Sequence, residues 1–226
     1  FQTMKNVPPK DRIYPSCPHP VAALIIAMYV DNNAVRHNCD ELVEQFEQFV
    51  KADGRIRMLR EGEMQWLLGV RYWFNLTTGE ISCNQSSSIE SLLKKYGMEN
   101  CNPSALPMSP GTDLASIPVA DKPDKDVIGV YASLVGELLY IAINTVPQIA
   151  FPLSCLTRYM INATVTHLKY AKGVLRYLAG VKDRRITWGG LNVRQPHELN
   201  EIWACADASY ADVKPCRKSS LMYLLF

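Results

Sequence analysis

An uninterrupted apolar segment, residues 22–30, ends abruptly at the polar pair Asp31 and Asn32. The segment is far shorter than the ~20 residues that a membrane-spanning helix requires. A short apolar run rich in β-branched residues predicts a strand that is buried on both faces of a sheet. A carboxylate at the end of such a strand is costly unless it meets water, a cation or hydrogen-bond donors. Asp31 is therefore either an ordinary turn residue or a metal ligand.

The composition indicates a globular protein with a small net charge. The 226 residues are 48% hydrophobic and 20% charged, which suits one or two domains and excludes a disordered chain. The formal net charge is only +2, so any surface that binds nucleic acid must be local. The 7 cysteines form no C-x-x-C pair, which argues against a zinc site and a complete disulfide framework. A reducing, intracellular compartment follows.

Two helices are predicted before residue 100. Apolar residues recur at helical spacing after Asn38, which is placed to form a capping box with Glu41. Ser87 and Glu90 predict a second capping box and a short helix, which Gly97 is placed to end in the left-handed conformation. The segments with strand character in this half are 55–59, 65–74 and 81–85, the last after a turn at 77–79.

Prolines recur between residues 101 and 126 and predict an extended connection. A unit of three helices follows, with Pro147 opening the second helix and Thr164 capping the third. Pro152 and Gly173 fall inside these helices, where they lower the stability by roughly 3 and 1 kcal/mol, respectively. Losses of this size suggest a degenerate genomic copy. Strands are expected over 185–188 and 201–206, and the last 26 or so residues are too few to bury a core. They should be poorly ordered or should pair as a marginal hairpin with exposed apolar residues.

The four residues Tyr29, Val30, Asp31 and Asn32 resemble the Tyr-Val-Asp-Asp turn of copia-type reverse transcriptases, with Asn in place of the second Asp. Further blocks follow in the same order as in that family. Together they resemble the polyprotein of copia-type long-terminal-repeat retrotransposons, from the end of the reverse transcriptase palm to the beginning of ribonuclease H. The blocks are residues 62–70, 92–103, 131–140, 147–151, 167–180, 207–212 and 217–220.

The resemblance implies an α+β fold made of a partial palm sheet with helices, a helical thumb or connection unit, and a truncated ribonuclease H-like strand pair. We expect the C-terminal part of the palm over 1–100 and the proline-rich connection over 101–128. The helical unit is expected over 129–190. The truncated start of ribonuclease H is expected over 191–226.

The resemblance also implies which carboxylates hold Mg²⁺. Asp31 and Asp207 correspond to metal-binding catalytic residues of the polymerase and the nuclease, which need several converging carboxylates. The family's other essential palm Asp lies upstream of this chain. Asn32 replaces an anion with a neutral amide, which either weakens Mg²⁺ binding or is structural. Asp207 is either a vestigial nuclease ligand or a solvated residue at a strand end.

Lys169, Lys172 and Arg176 share one face of the third helix and could follow a phosphate backbone, although a solvated helix face has the same pattern. His167 is interpreted as a structural partner. Three aromatic residues, Trp66, Tyr72 and Trp73, could stack on bases, but we interpret them as core.

The expected function is that of a degenerate, inactive fragment of an RNA-directed DNA polymerase, and the alternative is a catalytically dead remnant that binds nucleic acid or a partner. The expected partners are an RNA template and a DNA primer, with no membrane. The expected location is the cytoplasm, a virus-like particle or the nucleus.

Overall fold

The computed structural model describes residues 21–30, 32–52, 54, 59–118, 124–190, 204–213 and 218–225. Helices and small antiparallel sheets alternate, so the prediction of an α+β protein is confirmed. The chain divides into two compact units, one ending at Leu67 and the other beginning at Leu68. The five described cysteines form no disulfide with one another, and they are Cys39, Cys83, Cys101, Cys155 and Cys205.

The first unit is a hairpin followed by a helix. Strand β1 (Leu24–Tyr29) pairs antiparallel with β2 (Asn32–His37), and helix α1 (Asp40–Ala52) and the short strand β3 (Trp66–Leu67) follow. The side chain of Asn38 holds the start of β1, since it accepts a hydrogen bond from the Ala23 N–H (2.7 Å) and donates one to the Val21 carbonyl (2.9 Å). Most of the strand expected over 55–59 lies outside the described residues.

The expectation that β1 is buried on both faces is wrong. Ile25 is 64% exposed and Met28 77% exposed. The physical reason is that β1 and β2 form a sheet of two strands, and such a ribbon has no interior of its own. Among the described hydrophobic residues of this unit, burial is limited to Cys39 and Val43.

In the second unit, strand β4 (Val70–Asn75) and strand β5 (Glu80–Asn84) form the predicted hairpin around residues 76–79. Strand β6 (Ile186–Trp188) pairs with the other side of β5, so it returns to the sheet after about a hundred residues of intervening chain. Gly189 ends β6 against this turn. A Cβ at that position would lie 2.5 Å from the carbonyl oxygen of Gly79, so only glycine fits there.

Four helices form the main core of this unit: α2 (Ser86–Lys95), α3 (Lys125–Asn144), α4 (Ala150–Leu156) and α5 (Val165–Val181). Short 3₁₀ turns flank them at Leu114–Ser116, Pro147–Ile149 and Thr157–Tyr159. The largest completely buried apolar side chains come from α3, α4 and α5 and the turn before α4, and they are Tyr131, Leu134, Leu138, Ile149, Leu153, Leu156, Leu175 and Leu178.

By length and composition α3 is apolar enough to cross a membrane. However, its buried residues are the centre of this core, which is how a core helix of a globular unit also behaves.

The start of α2 differs in detail from the expected one. Helix α2 begins at Ser86, after Gln85 and without a side-chain cap, so the capping box of Ser87 with Glu90 is wrong. Glu90 instead forms an ion pair with Lys182, at the end of α5. Thr164 caps α5 as predicted, and Gly97 follows α2 with the expected left-handed φ of +63°.

Pro152 destabilises its helix less than the sequence suggests. A 3₁₀ turn opens at Pro147 and α4 begins only at Ala150, so Pro152 lies in the first turn of the helix. The N–H groups of a first turn have no partner within the helix, and the missing N–H of proline is tolerated there.

The chain ends in a separate two-stranded sheet, in which β7 (Ala204–Val213) pairs antiparallel with β8 (Lys218–Leu225). Leu221 is 71% exposed and Tyr223 67% exposed. The expectation of a hairpin with exposed apolar side chains is confirmed for these two residues, whereas the side chain of Leu224 and all of Phe226 lie outside the described part.

Candidate catalytic turn and nucleic-acid-binding surfaces

The β1–β2 hairpin places the Tyr-Val-Asp-Asn sequence at its connection. Tyr29 and Asn32 are the last pair of the two strands, so Val30 and Asp31 are the two residues between them. Val30 is 91% exposed and has a φ of +49°. A two-residue hairpin turn normally requires positive φ at its first residue, which is why glycine and asparagine dominate that position. The tight turn therefore forces valine into a left-handed conformation.

This conformation is unusual for a β-branched residue. The side chain of valine crowds its own backbone when φ is positive, and non-glycine residues at positive φ are uncommon. Such strain persists where the surrounding structure fixes the conformation, and it is concentrated at functional sites. The backbone immediately before Asp31 is therefore both exposed and strained. Asp31 itself, and the side chain of Asn32, lie outside the described residues.

Asp207 lies in the C-terminal hairpin, but not where the sequence placed it. It is the fourth residue of β7, opposite Met222, rather than a residue at the end of a strand. The difference arises because β7 continues through Val213. The carboxylate of Asp207 is exposed and accepts a hydrogen bond from the N–H of Ala208 (2.9 Å).

A divalent cation needs several oxygen ligands at one place. Within the described ranges, no three His, Cys, Asp or Glu side chains come together in a way that could hold a metal ion. Asp207 contributes one carboxylate and Asp31 falls in the undescribed part, so the Mg²⁺ site expected at these two residues stays a prediction.

The predicted basic residues lie along α5. Lys169 and Arg176 are exposed and Lys172 is half-buried. Arg176 is partly used within the unit, because its Nε donates to the carbonyl oxygen of Asn102 (2.9 Å) and its own carbonyl accepts from the N–H of Ser104 (3.2 Å). These bonds anchor the guanidinium group of Arg176 and attach the proline-rich segment to α5.

His167 is a structural residue, as predicted. It is completely buried, and its Nδ1 accepts a hydrogen bond from the N–H of Thr164 (3.2 Å) and lies 2.9 Å from the Thr164 hydroxyl. The imidazole stacks on Tyr159 with ring centroids 4.3 Å apart. Burial lowers the pKa of His167. A neutral imidazole of this kind caps the helix.

The aromatic residues of the sheet divide between its two faces, which the sequence interpretation missed. Tyr72 lies in register with Cys83, and burial raises the pKa of both groups, with Tyr140 of α3 adding to the effect at Tyr72. This face is covered by the helices. Trp73 lies on the opposite face, and Trp66, in the first unit, is 49% exposed. The interpretation of Trp66 as a core residue is therefore wrong, whereas Trp73 is half-buried.

Two guanidinium groups converge on Trp73. The Cζ of Arg185 is 3.7 Å from the centroid of the indole ring and that of Arg71 is 4.9 Å from it. Alternation along β4 could have placed Arg71 beside Trp73 from the sequence. Arg185 could not have been found in this way, because the pairing of β6 with β5 is a long-range contact.

Several known proteins are similar in sequence to this chain. The chain is 26% identical over 204 residues to the retrovirus-related Pol polyprotein from transposon TNT 1-94 of Nicotiana tabacum, an alignment that covers 89% of this chain. It is 28% identical over 164 residues to the corresponding polyprotein from transposon RE1 of Arabidopsis thaliana, covering 73% of this chain. It is 27% identical over 156 residues to the putative transposon Ty5-1 protein of Saccharomyces cerevisiae, covering 69% of this chain.

The chain spans 15%, 10% and 48% of the lengths of these three relatives, respectively. No protein-family model matches the chain, and no solved structure matches it. The resemblance to retrotransposon polyproteins is confirmed by these relatives.

Proposed function

We propose, on the premise that this chain is a homologue of retrotransposon Pol polyproteins, that it is a reverse transcriptase segment that runs from the end of the palm into the start of ribonuclease H. The order of the sequence blocks supports this assignment, as does the α+β architecture with a hairpin, a helical unit and a terminal strand pair. Its partners would then be an RNA template and a DNA primer inside the cell.

The observation that carries the proposal is the β1–β2 hairpin. Its connection consists of Val30 and Asp31, and Val30 is held at a φ of +49° although valine disfavours that conformation. The resemblance assigns a metal-binding carboxylate to Asp31, the residue that directly follows this strained valine. A turn without such a role would accommodate glycine or asparagine at lower cost.

We propose further that the segment has no polymerase activity on its own. Mg²⁺ in this chemistry acts as a Lewis acid on phosphoryl oxygens and needs several carboxylates. Asn32 supplies a neutral amide in the turn, and the described residues assemble no cluster of acidic ligands. What this chain can do with its own residues is bind a nucleic acid strand and position it.

The surface that we propose for this binding is the basic face of α5, formed by Lys169, Lys172 and Arg176. Positive side chains three and four residues apart on one helix can follow a phosphate backbone without reading its sequence. Because counterions are released, such binding weakens steeply with salt.

The test is a titration of an RNA–DNA hybrid with the full chain, followed by fluorescence anisotropy at low and high salt. Replacing all three α5 residues with alanine should raise the Kd about tenfold and flatten its salt dependence. The matched control removes the same charge from Lys94, Lys125 and Arg158, which are exposed elsewhere. It should change the Kd less than about twofold. Equal losses in both variants would mean that only net charge matters and would remove the α5 surface from the proposal.

A further inference from the structure

The face of the sheet that points away from the helices carries an unusual set of side chains. Trp73, Ser82 and Thr187 form one row across β4, β5 and β6. Arg71 precedes Trp73 by two residues and therefore lies on the same face, and Arg185 lies next to β6. Arg71, Arg185 and Thr187 are exposed, Trp73 is half-buried, and Ser82, in the middle of the row, is buried. This face, which we call the outer face, is polar except for a single tryptophan.

The two arginines concentrate positive charge on that tryptophan. Both guanidinium groups lie within 5 Å of the indole centroid, so two like charges share one aromatic ring. The next residue, Arg184, is also exposed. Glu80, the acidic residue of β5, lies opposite Asn75 on the same face, two residues from Ser82 and nearer to the hairpin turn. The surface therefore complements an anion at the end of the sheet that is farther from the turn.

We propose that the outer face, through Arg71, Trp73 and Arg185, binds a single-stranded nucleic acid by stacking bases and contacting phosphates. Proteins bind unpaired strands by combining basic side chains with aromatic or guanidinium planes on which bases stack. The outer face contains both components at one place. This inference rests on the proposed function only in taking nucleic acid as the partner of the chain.

The chemistry favours a nucleic acid over an acidic peptide. A peptide with several carboxylates would satisfy the two guanidinium groups but would have no use for the indole. A nucleotide offers a phosphate for the charge and a planar base for the ring. Because every base has such a plane, the binding should depend little on sequence.

The experiment measures the affinity of the full chain for labelled oligothymidylate in EDTA. EDTA removes any contribution from a metal at the turn, so the result does not depend on the proposed catalytic turn. The double variant Arg71→Ala/Arg185→Ala should raise the Kd about tenfold. The matched control, Lys94→Ala/Arg158→Ala, loses the same charge from exposed positions elsewhere and should change the Kd less than about twofold.

A second variant keeps the test valid if loss of both arginines impairs folding. Arg185→Lys retains the positive charge but lacks the planar group. Its Kd should therefore lie between that of the parent and that of the double variant. Three results would each overturn the proposal: a folded double variant with the affinity of the parent, an equal loss in the charge-matched control, or displacement of the oligonucleotide by polyglutamate at equal charge. The α5 variants described above report on the proposed function separately.

Discussion

Val30 is, with Leu68, one of two non-glycine residues at positive φ among those described. Its φ of +49° follows from the short connection between Tyr29 and Asn32, because two residues must reverse the chain. The left-handed conformation costs an ordinary residue about 1–2 kcal/mol. If the turn is kept for the sake of the adjacent Asp31, this cost is tolerated for function rather than for stability.

We predict that Val30→Gly stabilises the protein by about 0.5–1 kcal/mol. Glycine relieves the strain of positive φ, although it loses more entropy on folding than valine does. The matched control is Val35→Gly in β2, a position that has no positive φ to relieve, and this change should be destabilising. Denaturant unfolding of both variants provides the comparison. If Val30→Gly is as destabilising as Val35→Gly, the turn is not strained.

The fold determines the protonation state of His167. Its Nδ1 must be an acceptor to receive the N–H of Thr164, so the imidazole has to be neutral at that nitrogen. Burial lowers the pKa of this histidine in the folded state relative to the unfolded chain. The unfolded chain therefore binds the proton more readily, and stability is lost as the pH falls below about 6.5.

We predict that the melting temperature falls between pH 7.5 and 5.5 and that His167→Gln removes most of this fall. Thermal denaturation at the two pH values measures the effect. A pH dependence that survives in His167→Gln would show that other groups cause it.

At the scale of elements, helices with complete local signals were predicted well. Thr164, the apolar spacing of α5 and its length all agree with the structure, because capping and amphipathicity are local properties. Strand β2 was missed, since the sequence Asn-Asn-Ala-Val-Arg-His has little strand character and forms a strand only by pairing with β1. The exposure of β1 and the position of Asp207 within β7 were missed for the same reason, since sheet layers and strand ends depend on distant partners.

Helix α5 contains two glycines in different surroundings. A Cβ at Gly173 would meet nothing within 4 Å, whereas one at Gly180 would lie 3.1 Å from the Cβ of Pro103. We predict that Gly173→Ala stabilises the protein by about 0.5–1 kcal/mol, since alanine has the higher helix propensity. Gly180→Ala should gain less or lose stability, because the proline must move. Chemical denaturation of the two variants distinguishes them. A destabilising Gly173→Ala would show that this glycine has a packing role and is not simply a defect.

At the scale of the whole molecule, the resemblance to retrotransposon polyproteins and the α+β class could be predicted from the sequence. Only one of the two proposed binding surfaces could be predicted in this way. The basic face of α5 lies within one helix and could be seen in the sequence. The outer face needs Arg71 and Trp73 of β4 beside Arg185, more than a hundred residues later, and only the pairing of β6 with β5 brings them together. Sequence patterns report local periodicity, so a site built across a sheet is hidden from them.

The central claim is that this chain is a reverse transcriptase segment that binds its substrate but does not extend a primer alone. Primer extension on an RNA template, with Mg²⁺ or Mn²⁺ and enough protein to bind all of the substrate, tests this directly. We expect the primer to remain at its original length, because Asn32 supplies no charge and no cluster of acidic ligands is present among the described residues. Extension above background that disappears in Asp31→Ala would contradict the claim and would show that the turn of this chain is a working catalytic site.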